Sequence, residues 1–368
     1  ETISEYASRG LWAGNDNYLG MPGTGPSQIA NPDLKWEQTK QFNVGFEFGV
    51  LDNRLTGEIN YYDKFTKGVL LNKTIPMTTG FSTIAYNGGD MSNKGIELSL
   101  NGAIIRSKDF NWNMNLNLSH NKNLIKKLDA PYFEPFSRKF ILFQQGYPVN
   151  GFWLWKQESV DPQTGNAVYT DVDKNGVIDD NDRMILGSNQ PDLLGGLGSN
   201  LRYKNFDFSF TFNFEWGQEL VNWSTFFMVH GGSRMNAATG KATYGFYTRQ
   251  LDRWQKPGDI TDIPKVGGTP TERANNYGRY TSRAMEDGSY TRLKTITLGY
   301  TIPASVTKRV GINSVRFYVM GTNLITITNY SGLDPEINAG GGKGTVGGVE
   351  MFTVPQPKSL QAGLSVTF

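Results

Sequence analysis

The sequence contains no cysteine, which excludes disulfides, thiolate metal centres and cysteine nucleophiles. Histidine is nearly as scarce. His120 and His230 are the two present, poor material for a histidine-rich metal site or a histidine-dependent triad. No run of about 18 apolar residues exists, so no membrane helix is encoded. An excess of one charge is missing too. Thirty-six Lys and Arg against 34 Asp and Glu leave +2, with no basic stripe, so nucleic acid is not an expected partner. No pair of carboxylates stands apart as glycosidase machinery, and the expectation is that the chain is not an enzyme.

Aromatic residues and glycine are plentiful. Aromatics are 13% of the chain and glycine 43 of 368 positions, which suits boundary rings and turn-rich β structure. Alternation organises the chain. Phe206, Phe208, Phe210, Phe212 and Phe214 alternate with Asp207, Ser209, Thr211, Asn213 and Glu215. Trp112, Met114, Leu116 and Leu118 alternate with Asn113, Asn115, Asn117 and Ser119, and similar runs begin at Phe42, Ile96 and Leu360. Period two means strands with one apolar face. The mean hydropathy of −0.43 is that of a water-soluble protein, but a membrane barrel averages the same way because lipid-facing and lumen-facing residues alternate. A soluble β-sandwich alternates as well, but its strands average about five or six residues, shorter than these runs. Phe206 and Trp216 share a face; ten residues at about 3.3 Å each, tilted near 40°, span roughly 25 Å, the height of a barrel's apolar band.

The spacing predicts about nine strands, near 40–50, 55–70, 92–106, 111–126, 193–203, 206–217, 288–302, 313–329 and 358–368. Short links at 51–54, 107–110 and 204–205, and a longer one at 303–311, are assigned to the periplasmic side; long excursions at 73–90, 129–191, 218–287 and 331–355 are assigned to the outside. The fold class is therefore all-β, an antiparallel transmembrane β-barrel segment with long extracellular loops. Residues 129–191 are expected to form a loop subdomain, 218–287 a second long loop, and residues 1–35 to lie outside. About nine strands with two open edges would leave unpaired backbone in lipid, so further strands are expected upstream. The start, Glu1-Thr2-Ile3, is unlike the signal peptide such a barrel needs, so the chain is expected to be processed or part of a longer one.

Asp171-Val-Asp173-Lys-Asn175-Gly-Val177-Ile-Asp179-Asp-Asn-Asp182 is the sharpest local motif. Oxygen-bearing side chains stand at positions 1, 3, 5, 9 and 12, glycine stands at 6, and Val177 at 7 offers its carbonyl. The candidate ligands of a structural Ca²⁺ are thus Asp171, Asp173, Asn175, Val177, Asp179 and Asp182, with Ile178 anchoring the loop. In the run Phe152-Trp153-Leu154-Trp155, Trp153 and Trp155 are candidate contacts for a ligand or partner, with packing inside the loop subdomain as the plainer alternative. Gly340-Gly341-Gly342-Lys343-Gly344 lacks the spacing and strand-to-helix context of a phosphate cradle.

Several segments resemble the C-terminal barrel half of SusC/RagA-type TonB-linked outer-membrane proteins. They include Asn31-Pro-Asp33-Leu-Lys35-Trp-Glu37, Thr79-Gly80-Phe81, Asn93-Lys94-Gly95-Ile96-Glu97-Leu98 and Arg253-Trp254-Gln255-Lys256-Pro257-Gly258-Asp259. Further along are Glu286-Asp287-Gly288-Ser289-Tyr290-Thr291-Arg292-Leu293-Lys294, Gly332-Leu333-Asp334-Pro335-Glu336 and Pro355-Gln356-Pro357-Lys358. The resemblance implies a barrel of about 22 strands in the outer membrane of a Gram-negative bacterium, surrounded by lipid. It implies import of glycan or peptide oligomers with a SusD-like surface lipoprotein, coupled to the TonB complex through an N-terminal part not in this chain. It also implies that Phe368 is the terminal aromatic read by the barrel-assembly machinery. Two alternatives stand beside import: a barrel captured as a substrate of that machinery, and a soluble calcium-dependent sugar-binding sandwich.

Overall fold

Residues alternating with period two satisfy their backbone groups by pairing strand to strand, and this chain does so in a single order. The computed structural model describes residues 6–18, 20–133, 140–229, 247–307, 309, 311–336, 339 and 347–368. Nine long strands form one sheet: β1 (Gln38–Val50), β2 (Leu55–Thr74), β3 (Thr83–Arg106), β4 (Phe110–Leu128), β5 (Leu193–Tyr203), β6 (Phe206–Trp216), β7 (Tyr290–Thr301), β8 (Ser314–Thr328) and β9 (Ser359–Thr367). Each pairs antiparallel with the strands before and after it. This up-and-down meander is a barrel wall and not the two stacked sheets of a sandwich. β1 and β9 are its edges and do not pair with each other.

Connections at one end are tight. Leu51, Asp52 and Asn53 all take left-handed φ (55°, 54° and 58°) to close the first, and Lys204 (φ 51°) helps close the two-residue link between β5 and β6. At the other end, the expected loop 73–90 shrinks to 75–82. β2 and β3 stay paired past a register shift beside Gly68, with Thr74 still opposite Thr83. Gly68, at φ 68°, donates its N–H to the Asp90 carboxylate at 2.9 Å. Above an apolar band, pairing needs only backbone partners, so alternation does not mark where it stops.

Register carries one apolar row around the outer face: Phe46, Ile59, Leu98, Leu118, Gly195 and Phe214 lie opposite one another in turn. Nearer the tight turns, Phe110, Tyr203, Phe206, Tyr300 and Phe317 form an aromatic row, with the Phe206 and Tyr300 rings 4.7 Å apart. These side chains are open: Phe46 is 64% and Phe206 50% exposed. A belt this long exceeds the about 300–600 Å² that water tolerates on an ordinary protein, and hydrocarbon is its natural contact.

The largest cluster of buried apolar side chains among the described residues lies elsewhere. Phe140, Ile141, Phe152, Leu154, Val221, Trp223, Phe227 and Val349 form one core, drawn from three of the long connections. Small sheets knit these connections into a cap. In one, Arg183–Ser188, Gly151–Trp155, Ile141–Phe143 and Tyr132–Phe133 pair in that order; in another, Glu219–Asn222 joins Met285–Asp287 to Val349–Glu350. Residues 129–191 and 218–287 thus share a core. Near the first strands, the hairpin of Leu11–Tyr18 and Met21–Gln28 leads to residues that clamp the β2–β3 extension. Asn31 donates to the Ala85 carbonyl at 2.7 Å, Lys35 exchanges bonds with Asn87, and Glu37 accepts from the Leu70 N–H at 2.8 Å.

Candidate functional site

The face opposite the apolar belt is polar, and it is rich in amides because β4 places Asn113, Asn115, Asn117, Asn121 and Asn123 on it in succession. Amide and hydroxyl groups there bond across strands: Tyr62 donates to Asn121 at 3.0 Å, and Asn123 to Asn93 at 2.8 Å. A concavity of about 560 Å³ on this face is lined by Glu58, Asn60, Glu97, Ser99, Asn117 and Asn213, among others. Such a surface offers donors and acceptors to a polar solute without a strong charge preference.

Above it, the wall and cap are tied by charge. A bulge in β7 inserts Lys294 between Leu293, opposite Phe212, and Thr295, opposite Thr211. The extra residue keeps Leu293 on the apolar face and turns Lys294 to the same side as Arg292. Both cations meet acids of the β8–β9 connection: Arg292 contacts Asp334 at 2.5 Å and Glu336 at 2.6 Å, and Lys294 contacts Glu336 at 2.5 Å. Arg292 and Asp334 are 2% and 3% exposed, so each is the other's replacement for water. Burial by itself raises the Asp334 carboxyl, but the Arg292 hydrogen bond and the N–H groups of Glu336 and Gln356 outweigh it and hold the group below the ordinary carboxylate range. Sequence reading quoted these residues within motifs without pairing them. The signal was two acids two apart facing two bases two apart.

Trp153 and Trp155 lie inside the cap. Arg183 stacks against both rings, 3.8 and 4.5 Å from their centroids, and donates to the Trp153 carbonyl at 2.8 Å. The indole N–H of Trp155 donates to the Asp179 carbonyl at 2.7 Å, and that of Trp153 to the Arg183 carbonyl at 3.1 Å. Trp155 is 9% exposed, which leaves little ring for a ligand; the two side chains hold the end of the acidic loop. Burial lowers the Arg183 guanidinium to about 10, with Asp180 opposing the shift.

The acidic loop itself is folded back on its own backbone. Asp171 accepts from the N–H groups of Asn175 (3.2 Å) and Gly176 (2.8 Å), Asp173 from Asn175 (3.1 Å), and Asn175 from Val177 (2.7 Å). Lys174 and Gly176 take φ of 58° and 80° to make the bend. Carboxylate oxygens of Asp171, Asp173 and Asp182 lie within 4.8 Å of one another. Asp179 is placed differently: its carboxylate accepts from the Asn181 N–H at 2.7 Å and caps the short helix that follows. Asp182 is fully buried, and N–H groups of Asp179, Val172 and Asp173 hold its carboxyl below the usual range. Ile178 packs against Trp155, Ala167 and Tyr169, as its apolar character predicted. Val177 is 61% exposed, and Phe368, one residue past β9, is 84% exposed. His230 and Gly340 to Gly344 lie outside the described residues.

The family model for the TonB dependent receptor-like beta-barrel matches residues 3–324. The whole chain is 30% identical to TonB-dependent receptor P3 and 32% identical to TonB-dependent receptor P26 of Formosa agariphila, spanning 37% and 38% of those proteins. Over 99% of its length it is 28% identical to TonB-dependent receptor SusC of Bacteroides thetaiotaomicron, spanning 36% of that protein. It superimposes throughout on a solved structure of the RagAB peptide transporter, with a TM-score of 0.82 and 29% identity, covering 39% of that chain.

Proposed function

The chain belongs to the TonB-dependent receptor β-barrel family of the outer membrane, and from that premise we propose that it is wall and loop cap of a SusC/RagA-type importer of nutrient oligomers, peptides or glycans. The chain spans about two fifths of the relatives it matches. The activity belongs to the longer receptor, in which the TonB complex drives transport and a SusD-like lipoprotein closes over the loops. The observation that carries this reading is one sheet with a continuous apolar face, an amide-rich opposite face and a cap fastened above it by Arg292 and Asp334. Amides and hydroxyls suit peptide groups and sugar hydroxyls alike, and transport needs no nucleophile.

The reading includes a Ca²⁺ ion in the acidic loop, held by Asp171, Asp173, Asn175, the Val177 carbonyl and Asp182. The support is three carboxylates already converged by the loop's own backbone, with hard oxygen donors of the type Ca²⁺ prefers. Asp179 serves better as a cap than as a ligand.

The test is growth of the native bacterium on defined peptides and on defined oligosaccharides, with the receptor gene intact or deleted and with TonB intact or inactivated. Loss of growth on one oligomer class in both disruptions is expected. Unimpaired growth on every oligomer after gene deletion overturns the proposal. Failure of the tagged receptor to retain a surface lipoprotein in mild detergent overturns the lid.

A further inference from the structure

Register sets Phe42, Asp63, Lys94 and Lys122 side by side across β1 to β4, one pleat beyond the outward row of Val44, Tyr61, Ile96 and His120. Lys40 follows one pleat further on the same face. The row therefore sits at the loop end of the apolar belt, where the wall leaves hydrocarbon. Lys94 meets Asp63 at 2.6 Å, but its other neighbour, directly opposite, is Lys122. Lys40 and Lys122 are exposed, and neither forms a salt bridge with another described residue. Like charges facing each other across an antiparallel pair repel, and the low dielectric of nearby lipid strengthens the effect unless an anion lies between them. Rings accompany the lysines: Phe42 stands in their row and Tyr61 one pleat nearer the middle of the belt, 62% and 37% exposed. Cations beside rings at the edge of an apolar band match the chemistry of a headgroup layer. The outward loop end of β8 carries Ile325 and Ile327 instead, so the feature is local to the first strands.

We propose that Lys40, Lys94 and Lys122 bind the phosphate of an anionic glycolipid of the outer leaflet, with Phe42 and Tyr61 against its apolar part. This rests on the orientation above, which puts the long loops outside. The full-length receptor is placed in phosphatidylcholine vesicles doped with phosphorylated lipid A or its dephosphorylated form, extracted in mild detergent, and the retained lipid A per receptor is measured by mass spectrometry.

The variant combining Lys94→Gln and Lys122→Gln is expected to retain about thirtyfold less phosphorylated lipid A, since each of the two basic side chains at a membrane surface contributes on the order of 1 kcal/mol. Lys94→Arg with Lys122→Arg, which keeps both charges, is expected to retain it. Lys108→Gln with Lys204→Gln, in the tight turns, is expected to change nothing. Equal retention by the glutamine variant and the parent overturns the proposal, as does equal retention of the dephosphorylated lipid. Displacement by millimolar inorganic phosphate would mark a soluble-anion site and overturns it too. Loss in the tight-turn variant, with the Lys94 and Lys122 variant unaffected, would overturn the orientation as well.

Discussion

Arg292 and Asp334 meet at 2.5 Å across 42 residues of sequence, both almost fully buried, and so fasten the β8–β9 connection to the inner side of the wall. Removing one partner strands the other charge. Asp334→Ala is expected to destabilise the cap by about 3–5 kcal/mol while leaving the wall assembled. Hydrogen exchange of residues 329–336 and 347–357 in the full-length receptor should rise sharply. The double variant Arg292→Met with Asp334→Leu should be less damaged than Asp334→Ala alone; equal or greater damage would contradict the account of a buried pair.

The two faces of β6 make opposite predictions at adjacent positions. Phe210 lies in the apolar belt opposite Ile296, and Thr211 faces the polar side opposite Gly198. Phe210→Arg is expected to cost about 2–4 kcal/mol at mid-membrane and to lower the folded, heat-modifiable fraction of the receptor in outer-membrane preparations. Thr211→Arg should assemble normally. Equal effects would mean that the faces are misassigned.

Chelation should loosen the acidic loop without unfolding the wall. With EGTA, or with Asp171→Ala plus Asp173→Ala, protease cleavage within 171–182 of the full-length receptor is expected to quicken severalfold, and added Ca²⁺ should reverse only the chelator effect. Asp179→Asn should retain the calcium response, because its carboxylate serves the helix cap. Cleavage indifferent to chelator would remove the ion from the proposal.

Glu350 supplies a pH dependence. It is 1% exposed, and burial raises its carboxyl above the ordinary value, with the Ser224 hydroxyl and nearby N–H groups opposing. A raised folded-state value means that this group's contribution is fully present below its unfolded pKa and is lost as pH rises through the folded one. The cap around 349–353 should therefore be better protected near pH 5 than near pH 8 once intrinsic exchange rates are corrected. Glu350→Gln should flatten that dependence and protect the cap at high pH. Protection that grows with pH in the parent would show that another group governs it.

The wall was legible to within a few residues wherever one face met hydrocarbon and the other water: β5 and β6 begin and end almost where the expected spans 193–203 and 206–217 place them, the second marked by the phenylalanines from Phe206. Legibility stopped where that contrast stops. The extension of β3 back to Thr83 has water on its surroundings, so pairing continues without a pattern. The hairpin Leu11–Tyr18 with Met21–Gln28 was hidden for the same reason. The acidic loop was visible as a spacing, but spacing counts oxygens and not directions. Asp179 carries the right atoms and spends them on Asn181. The three-residue step from Asp179 to Asp182 is a capping-box spacing and could have warned of this.

The separation of the buried core from the sheet has a thermal consequence. Water is expelled from apolar surface when the cap folds, because Phe152, Leu154 and Val349 go from solvent into a core. While the cap opens, the outer face of the folded wall stays against hydrocarbon, so that surface remains unwetted. The cap's melting should therefore carry the positive heat-capacity change of hydrophobic exposure, while the still-folded wall adds nothing from its apolar face. Cooling then acts unequally on the molecule: it weakens the drive that folds the cap while leaving the membrane sheet's lateral pairing largely as it was.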